Sequence, residues 1–267
     1  MGFQLTADNY YSGVANYEYM SVSQFKDFAG TYGKLGCEAC AMAKIRGQYR
    51  EPERTALLEG SYVDSFYEGT LDKFKEEHSD LFRKDGELKS TYERAEKAIA
   101  RSLRDPLFQE YMSGEKQVIM TGELFGTKWK IKMDSYHPGK AIVDLKYMQS
   151  LTKFGYVPDI GYLDFVRYWG YDIQGAIYQE IVRQNIGQKL PFYIAGISKE
   201  EAMNLEVIYI HDSYLEEAMR IVESRMPRIL DVKYHGATPD RCEQCIWCRD
   251  TKVLKGPIGI GNLTASL

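Results

Sequence analysis

The sequence predicts an α/β fold, in which a mixed central β-sheet is flanked by helices and further helices are added at the N-terminus. Two observations predict it. Apolar residues recur at helical spacing up to about residue 112, and they alternate with polar residues at a period of two between residues 117 and 147. Helix and strand patterns then follow one another to residue 226, which is typical of a sheet packed against helices.

The length of the chain suits one domain. It has 267 residues, of which 44% are hydrophobic, and this is enough for one large core. We therefore expect a single domain over residues 1–267. Its helical N-terminal part covers about residues 18–112, its sheet-containing core about residues 113–232, and its cysteine-bearing tail residues 233–267.

Charge and hydropathy exclude several classes of protein. The 34 Lys and Arg residues and the 38 Asp and Glu residues give a net charge of -4, which excludes a uniformly basic nucleic-acid coat but allows a local basic groove. No run of about eighteen apolar residues could span a membrane. Residues 1–11 lack the basic start and apolar stretch of a secretory signal, so we expect a cytoplasmic protein with no membrane partner.

Four helices are predicted in the N-terminal half. Ser21 has the position of an N-terminal cap, because its hydroxyl and the amide of Gln24 can satisfy free backbone N–H groups. Gly69 is typical of a C-terminal stop. The first helix begins after Ser21, and the others cover Ala39–Ile45, Arg54–Gly69 and Tyr92–Ser102.

Strands and helices alternate in the second half. Tight turns are predicted at Phe125-Gly126 and at His137-Pro138-Gly139. They separate the three strands of a predicted meander, Gln117–Thr121, Thr127–Met133 and Ala141–Tyr147. The remaining elements are a helix, two strands and a helix, at Phe165–Gln184, Phe192–Ile197, Leu205–Ile210 and Tyr214–Met226.

Two carboxylates and a lysine carry the chemistry of this meander. Asp144 and Lys146 are two residues apart on one strand, so they point to the same face, and a hairpin with the preceding strand would bring Asp134 close to them. Such a group can hold Mg²⁺, which prefers a few carboxylates together with water and phosphate oxygens. The ion can activate water and stabilise charge on a phosphate, with the lysine beside it. The alternative is a surface hairpin with an ordinary Asp–Lys pair.

The helix that follows supplies Gln174 and Tyr178, which are four residues apart and therefore share a face. The pattern Asp134, Asp144-Leu145-Lys146 and Gln174-x-x-x-Tyr178 resembles the PD-(D/E)XK nuclease core of the RecB/RecE type. That family includes lambda exonuclease and the exonuclease VIII group of phages and prophages. The resemblance extends over the stretches Thr121–Gly126, Lys130–Asp134 and Trp169–Gln174.

The resemblance implies a role for each of these residues. Asp134 and Asp144 would bind Mg²⁺, or Mn²⁺ in its place, and Lys146 would serve the attacking water. Gln174 and Tyr178 would line the site, where they would contact the DNA backbone or position the lysine. The implied activity is that of an exonuclease, which hydrolyses phosphodiester bonds and resects linear double-stranded DNA ends in the 5′-to-3′ direction for phage-type recombination.

Two other functions stay open from the sequence. The first keeps the nuclease core but makes the protein an endonuclease, or a single-strand nuclease with an iron–sulfur cluster. The second is a non-catalytic DNA-binding or assembly subunit with a cysteine-bound structural metal. Comparing linear with covalently closed DNA separates exonuclease from endonuclease. Mg²⁺-dependent nucleotide release separates both enzymes from the binding subunit.

Two further sets of charged residues are candidates at this site. The stretch Gly60–Asp64 matches a helix position near the metal at which RecB-type relatives commonly carry histidine, so Asp64 is a third candidate metal ligand. Its alternative is a solvent-facing helix residue. Lys128, Lys130 and Lys132 alternate along the second strand of the meander, and they form either a solvated face or a strip that follows DNA phosphates.

Five cysteines occur in two clusters, and an odd number in a cytosolic chain argues against a disulfide framework. The spacing Cys242-x-x-Cys245-x-x-Cys248 lets three thiolates converge on one metal centre. Some relatives of this nuclease type hold a 4Fe-4S cluster with one cysteine before the core and three after it, and this resemblance favours Cys37 over Cys40 as the fourth ligand. A zinc site of Cys37, Cys40, Cys242 and Cys245 is one alternative, and five free thiols are the other.

The resemblance also implies partners. Linear duplex DNA ends would be the substrate, and ring-shaped homo-oligomers occur among relatives. Phage exonucleases of this type commonly work with a single-strand annealing protein. If the protein is phage-encoded, its location would be the cytoplasm of the bacterial host.

Overall fold

The computed structural model describes residues 3–52 and 55–263, and it confirms the α/β class that the sequence predicts. The helices are α1 (Gly13–Glu18), α2 (Val22–Ala29), α3 (Glu38–Ile45), α4 (Thr55–Glu68), α5 (Leu71–Glu77), α6 (Ser90–Leu103), α7 (Pro106–Tyr111), α8 (Phe165–Tyr168), α9 (Tyr171–Ile186), α10 (Asp212–Tyr234) and α11 (Ile246–Asp250). The strands are β1 (Val118–Leu124), β2 (Thr127–Met133), β3 (Ser135–His137), β4 (Ala141–Met148), β5 (Gly155–Val157), β6 (Gly161–Leu163), β7 (Phe192–Ser198) and β8 (Leu205–Tyr209). None of the helices in this described part is both long and apolar enough to cross a membrane.

A four-stranded sheet lies at the centre of the fold, in the order β3–β4–β7–β8. β4 and β7 run parallel, whereas the two outer pairs are antiparallel, so the sheet is mixed as predicted. β1 and β2 form a separate antiparallel hairpin, as do β5 and β6. The turn between β1 and β2 is Phe125-Gly126, as predicted. Both residues have positive φ, 51° and 79°, which suits the twist of a two-residue hairpin.

The predicted meander is wrong in one respect. β2 ends at Met133, the chain bends at Asp134, and it is β3 that pairs with β4. Asp134 therefore lies at a corner between a hairpin and the central sheet, and not within a strand that pairs with β4. Its position depends on the packing around this corner, because the alternation of β2 no longer governs it.

β4 separates two hydrophobic cores. Ile142 points into the larger core, which contains apolar residues of α2, α3, α9 and α10. Val143 and Leu145 point into the other core, with apolar residues of α4, α6 and α7. Since side chains alternate along a strand, Asp144 and Lys146 share the face of Ile142, as predicted. This face is the one that meets α9.

Two helices in the second half differ from the prediction. The helix predicted over Phe165–Gln184 is broken into α8 and α9 at Gly170, which has a φ of 64°. A Cβ at this position would lie 2.9 Å from Thr31 Cγ2, so the close approach between Gly170 and the segment that carries Thr31 requires glycine. The helix predicted over Tyr214–Met226 is longer at both ends as α10. It continues beyond Pro227 because its last turns still bury apolar side chains.

Serine caps mark the starts of the first two N-terminal helices. Ser21 Oγ accepts a hydrogen bond from Gln24 N at 3.3 Å, which confirms the predicted start of α2. A further helix, α1, precedes the predicted ones, and the side chain of Ser12 caps it. The predicted start of the third helix, Arg54, lies outside the described residues, and the helix is present from Thr55 onward.

Candidate active site

A cavity of about 470 Å³ lies where α2, α4 and α9 meet the charged face of β4. Its walls include all the residues to which the sequence assigns catalysis or Mg²⁺ binding, namely Asp64, Asp134, Asp144, Lys146, Gln174 and Tyr178. These residues come from three separate parts of the chain. The fold therefore brings the carboxylates, the lysine and the helix pair around one space.

Asp144 and Lys146 form an ion pair on the wall of this cavity. Lys146 Nζ faces Asp144 Oδ2, and it also donates a hydrogen bond to Leu145 O at 3.0 Å. Only 3% of Asp144 is exposed. Burial by itself would lower the pKa of Lys146, but the carboxylates of Asp144 and Asp134 outweigh it and raise that pKa above its ordinary value. Lys146 is therefore a cation that can neutralise negative charge, and not a neutral amine.

Asp134 reaches the same cavity from the corner between β2 and β3. Its Oδ2 accepts a hydrogen bond from Leu145 N at 2.8 Å, and its Oδ1 accepts a longer one from Gln117 Nε2 at 3.4 Å. Burial, followed by the carboxylate of Asp144 and more weakly that of Asp64, raises the pKa of Asp134 well above its ordinary value. A divalent cation among these carboxylates would relieve their repulsion.

Asp64 brings a third carboxylate, from α4. Burial raises the pKa of Asp64 to about 7; the ammonium of Lys146 opposes this rise and the carboxylate of Asp144 adds to it. The side chain is half-buried and lines the cavity, so the alternative of a solvent-facing helix residue is wrong. The helix position therefore contributes a carboxylate where RecB-type relatives commonly carry a histidine.

Gln174 and Tyr178 lie one turn apart on α9, as their spacing predicts. Gln174 Nε2 donates a hydrogen bond to Asp144 Oδ1 at 2.6 Å, so it orients this carboxylate. The sequence had suggested the lysine or the DNA backbone as its partner. Tyr178 is buried, and its hydroxyl donates to Lys132 O at 3.1 Å. This bond holds the end of β2 against α9.

The three lysines of β2 do not form one exposed strip. Lys128 is exposed, but Lys130 is 1% exposed, and its ammonium donates to Tyr10 O and, at 2.8 Å, to Asn16 Oδ1. Burial lowers the pKa of Lys130 to about 8. Lys132 is half-buried and lines the cavity. The prediction of a continuous strip is wrong, because the N-terminal segment covers Lys130. DNA binding by the other two lysines stays a prediction.

Two further residues of the cavity region have no predicted role. Lys26 on α2 lines the cavity, and burial together with the charge of Lys146 lowers its pKa to about 7. Tyr171 begins α9, and its ring centroid lies 5.0 Å from Lys26 Nζ and 5.2 Å from Lys146 Nζ. Lys26 carried no signal, because it is a lone lysine in a helix. Tyr171 lies in the stretch Trp169–Gln174 of the resemblance, but the break at Gly170 that sets its position was not predicted.

Four of the five cysteines converge at a second location. The sulfurs of Cys37, Cys242, Cys245 and Cys248 all lie within 4.8 Å of one another. Cys248 Sγ lies 3.5 Å from Cys37 Sγ and 4.0 Å from Cys242 Sγ. Cys40 is not a member of this group, although its N–H donates to Cys37 Sγ at 3.4 Å. The group thus matches the predicted set with Cys37, whereas the zinc set with Cys40 in place of Cys248 does not match it; metal binding by either set stays a prediction.

The spacing of these sulfurs bears on the metal that they can hold. Four thiolates at ~2.3 Å from a tetrahedral zinc ion lie roughly 3.8 Å apart, which is close to the 3.5 Å and 4.0 Å that separate Cys248 Sγ from the sulfurs of Cys37 and Cys242. An iron–sulfur cluster occupies the volume between its thiolates, and it would require the sulfurs to move apart. Backbone N–H groups also donate to the sulfurs of Cys37, Cys242 and Cys245 at 3.3 to 3.4 Å, which orients them as ligands.

Comparison with known proteins agrees with the geometry of the cavity. The family described as a PDDEXK-like domain of unknown function (DUF3799) matches residues 21–251. The chain belongs to this PDDEXK-like family. A crystal structure from Eubacterium rectale, described as "Putative exonuclease", is 61% identical, covers 100% of both chains and has a TM-score of 0.97. Among curated proteins, none matches the sequence.

The donor set of this PDDEXK-like domain fits a hard divalent cation. Asp134, Asp144 and Asp64 line one cavity, in which burial, and after it the neighbouring carboxylate of Asp144, raises the pKa values of Asp134 and Asp64. Carboxylate oxygens are the ligands that Mg²⁺ prefers, and Mn²⁺ accepts the same ligands. The residues present therefore fit a divalent metal at this site and a thiolate-bound metal at the four-cysteine group.

Proposed function

We propose that the protein is a Mg²⁺-dependent DNA exonuclease that hydrolyses phosphodiester bonds. The observation that carries the proposal is the convergence of Asp134, Asp144 and Lys146 on one cavity of a PDDEXK-like domain. The likeness, over the full chain, to the Eubacterium rectale protein supports the same reaction. Asp134 and Asp144 would hold the ion, with Asp64 as a third ligand.

Each residue around the scissile phosphate would have a separate role. Bound Mg²⁺ would supply Lewis-acid stabilisation of the charge on the phosphate. Lys146 is held as a cation beside Asp144, so it can neutralise negative charge that develops on the phosphate oxygens or orient the attacking water. The amide of Gln174 and the backbone N–H of Leu145 each hold one carboxylate, on Asp144 and Asp134 respectively, so both are oriented before substrate binds.

We further propose that the substrate is linear double-stranded DNA, resected from its ends in the 5′-to-3′ direction for phage-type recombination. The support for the polarity and the pathway is the resemblance to the RecB/RecE type of nuclease. On the same basis we propose a homo-oligomer that works with a single-strand annealing protein in the bacterial cytoplasm.

End-labelled DNA tests the reaction and its direction together. Linear duplex that carries the label at either the 5′ or the 3′ end is incubated with protein and Mg²⁺, and a covalently closed circle serves as the control. We expect release of the 5′ label as mononucleotide from the linear duplex, and no release from the circle or after addition of a chelator. Cleavage of the circle would instead indicate an endonuclease. Preference for single strands would indicate a single-strand nuclease, and binding without release a DNA-binding subunit.

We also propose that the four-cysteine group binds a structural metal that attaches the C-terminal segment to α3. The convergence of four thiols from two distant parts of the chain supports this proposal. Iron, zinc and acid-labile sulfide are to be measured in anaerobically purified protein. Iron with sulfide identifies the 4Fe-4S cluster that the resemblance implies, and zinc alone identifies a tetrahedral zinc site. Protein with neither iron nor zinc contradicts the proposal.

A further inference from the structure

A second cavity, of about 890 Å³, adjoins the catalytic one and has no role in the chemistry described above. Ser23, Asp27 and Lys44 line both cavities. Tyr171 lines the second cavity, and its ring centroid lies 5.2 Å from the ammonium of Lys146, which lines the first. One extended ligand could therefore occupy both the second cavity and the space at the catalytic residues. We call this second cavity the aromatic cleft, after its lining rings Tyr147, Phe154, Phe165, Tyr168, Trp169 and Tyr171.

The aromatic cleft exposes large rings to solvent. Phe154 is 63% exposed and Trp169 is 41% exposed. Next to Phe154, the β5–β6 hairpin adds Tyr156 and Tyr162, whose rings lie 5.4 Å apart and are also exposed. Single exposed apolar residues are common on protein surfaces, but a group of rings beside a catalytic cavity indicates a binding surface.

Tyr168 and Trp169 are held rigidly in this cleft. A Cβ at Gly155 would lie 2.1 Å from the ring of Tyr168, and one at Gly33 would lie 2.4 Å from the same ring, so two glycine backbones pack directly on it. Gly33 N donates a hydrogen bond to Tyr168 O at 2.8 Å. The ring of Trp169 packs edge to face on that of Tyr168, at 5.0 Å and 88°. A ligand that stacks on Trp169 would thus lose little side-chain entropy.

Four lysines and two carboxylates line the cleft, and three of the lysines are ion-paired. Lys34 and Lys44 pair with Asp27 and Glu51, and Lys199 pairs with the buried Glu59, so the cation best placed to meet a ligand is Lys153. Lys153 is exposed and directly precedes Phe154. Exposed rings beside ammonium groups are the combination that binds single-stranded nucleic acid, because bases stack on the rings and phosphates are attracted to the cations. The continuity of the cleft with the catalytic cavity favours this ligand over a second protein chain.

We propose that the aromatic cleft binds the single-stranded part of a DNA substrate next to the scissile phosphate, with bases stacked on Phe154 and Trp169 and the backbone near Lys153. The proposal rests on the DNA nuclease function proposed above, and it adds a site for unpaired bases. Bases within a duplex are stacked on one another, so the cleft selects a strand that is already unpaired or that has been separated from its complement.

Tryptophan fluorescence measures the stacking directly. Trp129 is fully buried, and Trp247 lies on α11 beside Tyr49, so Trp169 is the tryptophan of the cleft. Oligothymidylate is added to the whole protein with EDTA and without Mg²⁺, so that no DNA is cleaved. We expect quenching that Trp169→Phe abolishes and Trp247→Phe preserves. Quenching that survives Trp169→Phe, or oligothymidylate that does not bind, would overturn the proposal.

Affinity for the oligonucleotide provides the second measurement. Phe154→Ser should weaken the binding of oligothymidylate about 5- to 150-fold, the range for loss of one stacking ring. Tyr209→Ser is the matched control, because Tyr209 is 40% exposed on β8 and lines neither cavity; it should bind as the wild type does. Equal affinity of the two variants would overturn the proposal, provided that both unfold at the wild-type temperature.

Two further outcomes separate the cleft from its alternatives. If light scattering shows a dimer that Phe154→Ser dissociates and that oligothymidylate leaves intact, the cleft is a subunit contact and the proposal is overturned. Because binding is measured without Mg²⁺, it does not depend on cleavage. If Phe154→Ser weakens binding but the wild-type protein does not cleave DNA, the proposed role of the cleft is supported and only the nuclease function is overturned. Normal cleavage with cleft-independent binding overturns only the cleft.

Discussion

The carboxylate of Asp134 accepts a hydrogen bond from the backbone N–H of Leu145 at 2.8 Å. This bond joins the corner after β2 to the middle of β4, at the residue between Asp144 and Lys146. One contact therefore closes the corner of the fold and orients a candidate metal ligand. The pairing of β4 with β7 is formed by main-chain groups, so it supports the strand independently of the charged side chains.

Asp144→Asn should reduce the rate of DNA cleavage at least about 100-fold, because it removes a buried negative charge from the proposed metal site while it preserves the shape of the side chain. The measurement is the initial rate of nucleotide release at saturating Mg²⁺, with thermal unfolding followed by circular dichroism. Asp80→Asn is the control, since Asp80 is exposed and lies outside the cavity. Cleavage by Asp144→Asn at the wild-type rate contradicts the assigned site.

Gln174→Ala should lower activity about 10-fold, because Asp144 loses the amide that orients it. The Mg²⁺ concentration that gives the half-maximal rate should rise as well, which a purely structural defect would not cause. Gln188→Ala removes an exposed glutamine of the same type and should leave both quantities unchanged. An unaltered Mg²⁺ requirement in Gln174→Ala would show that this hydrogen bond does not tune the metal site.

Binding of Mg²⁺ should strengthen as the pH rises through about 7. Burial lifts the pKa of Asp64 from its ordinary 3.8 to about 7, so below that pH a proton must leave before the cation binds. Between pH 3.8 and about 7, Asp64 holds a proton in the folded state that it has released in the unfolded chain. The contribution of Asp64 to stability is thus full at low pH and is lost as the pH rises through about 7.

The rise in unfolding temperature caused by Mg²⁺, measured from about pH 5 to about pH 8, tests this dependence. The rise should grow with pH, because added cation offsets the repulsion among deprotonated carboxylates. Asp64→Asn should flatten the dependence, although Asp134 retains a titrating carboxyl. A Mg²⁺ effect that is equal at all pH values and equal in the variant would exclude Asp64 from the metal site.

Cys248→Ser should remove the metal from the four-cysteine group and lower the unfolding temperature by about 5 °C or more, because metal binding at such a site stabilises the fold. Cys40→Ser is a matched control from α3, since Cys40 is outside the group and should retain both metal and stability. Metal analysis and calorimetry of the two variants are the measurements. Loss of metal from both variants, or from neither, contradicts the ligand set.

Lys199→Met should lower the free energy of unfolding by about 3 kcal/mol, because it leaves the buried carboxylate of Glu59 with a poorer partner. Arg94, at 3.5 Å from the other oxygen of Glu59, limits the loss. The control is Lys73→Met, which breaks an exposed pair with Glu77 and should change stability by less than about 0.5 kcal/mol. Equal urea-unfolding curves for the two variants would show that the buried pair adds nothing.

Local periodicity predicted part of the candidate site correctly. Asp144 and Lys146 share a face because side chains alternate along a strand, and Gln174 and Tyr178 share one because a helix turns once in about 3.6 residues. Both relations depend only on neighbouring backbone geometry. The approach of Asp134 was predicted from a hairpin, whereas the chain reaches the cavity through a bend, so the proximity was right and its cause was wrong.

By itself, the sequence determined the α/β class, the alternation along β4 and the residue types that can hold a metal. Only the tertiary structure decided that Lys130 is buried, that Cys37 and not Cys40 joins the three later cysteines, and that the rings of Phe154 and Trp169 share a cleft. The reason is physical. Periodicity sets the direction of a side chain relative to its own element, but burial and convergence depend on elements distant in sequence, whose packing no local pattern specifies.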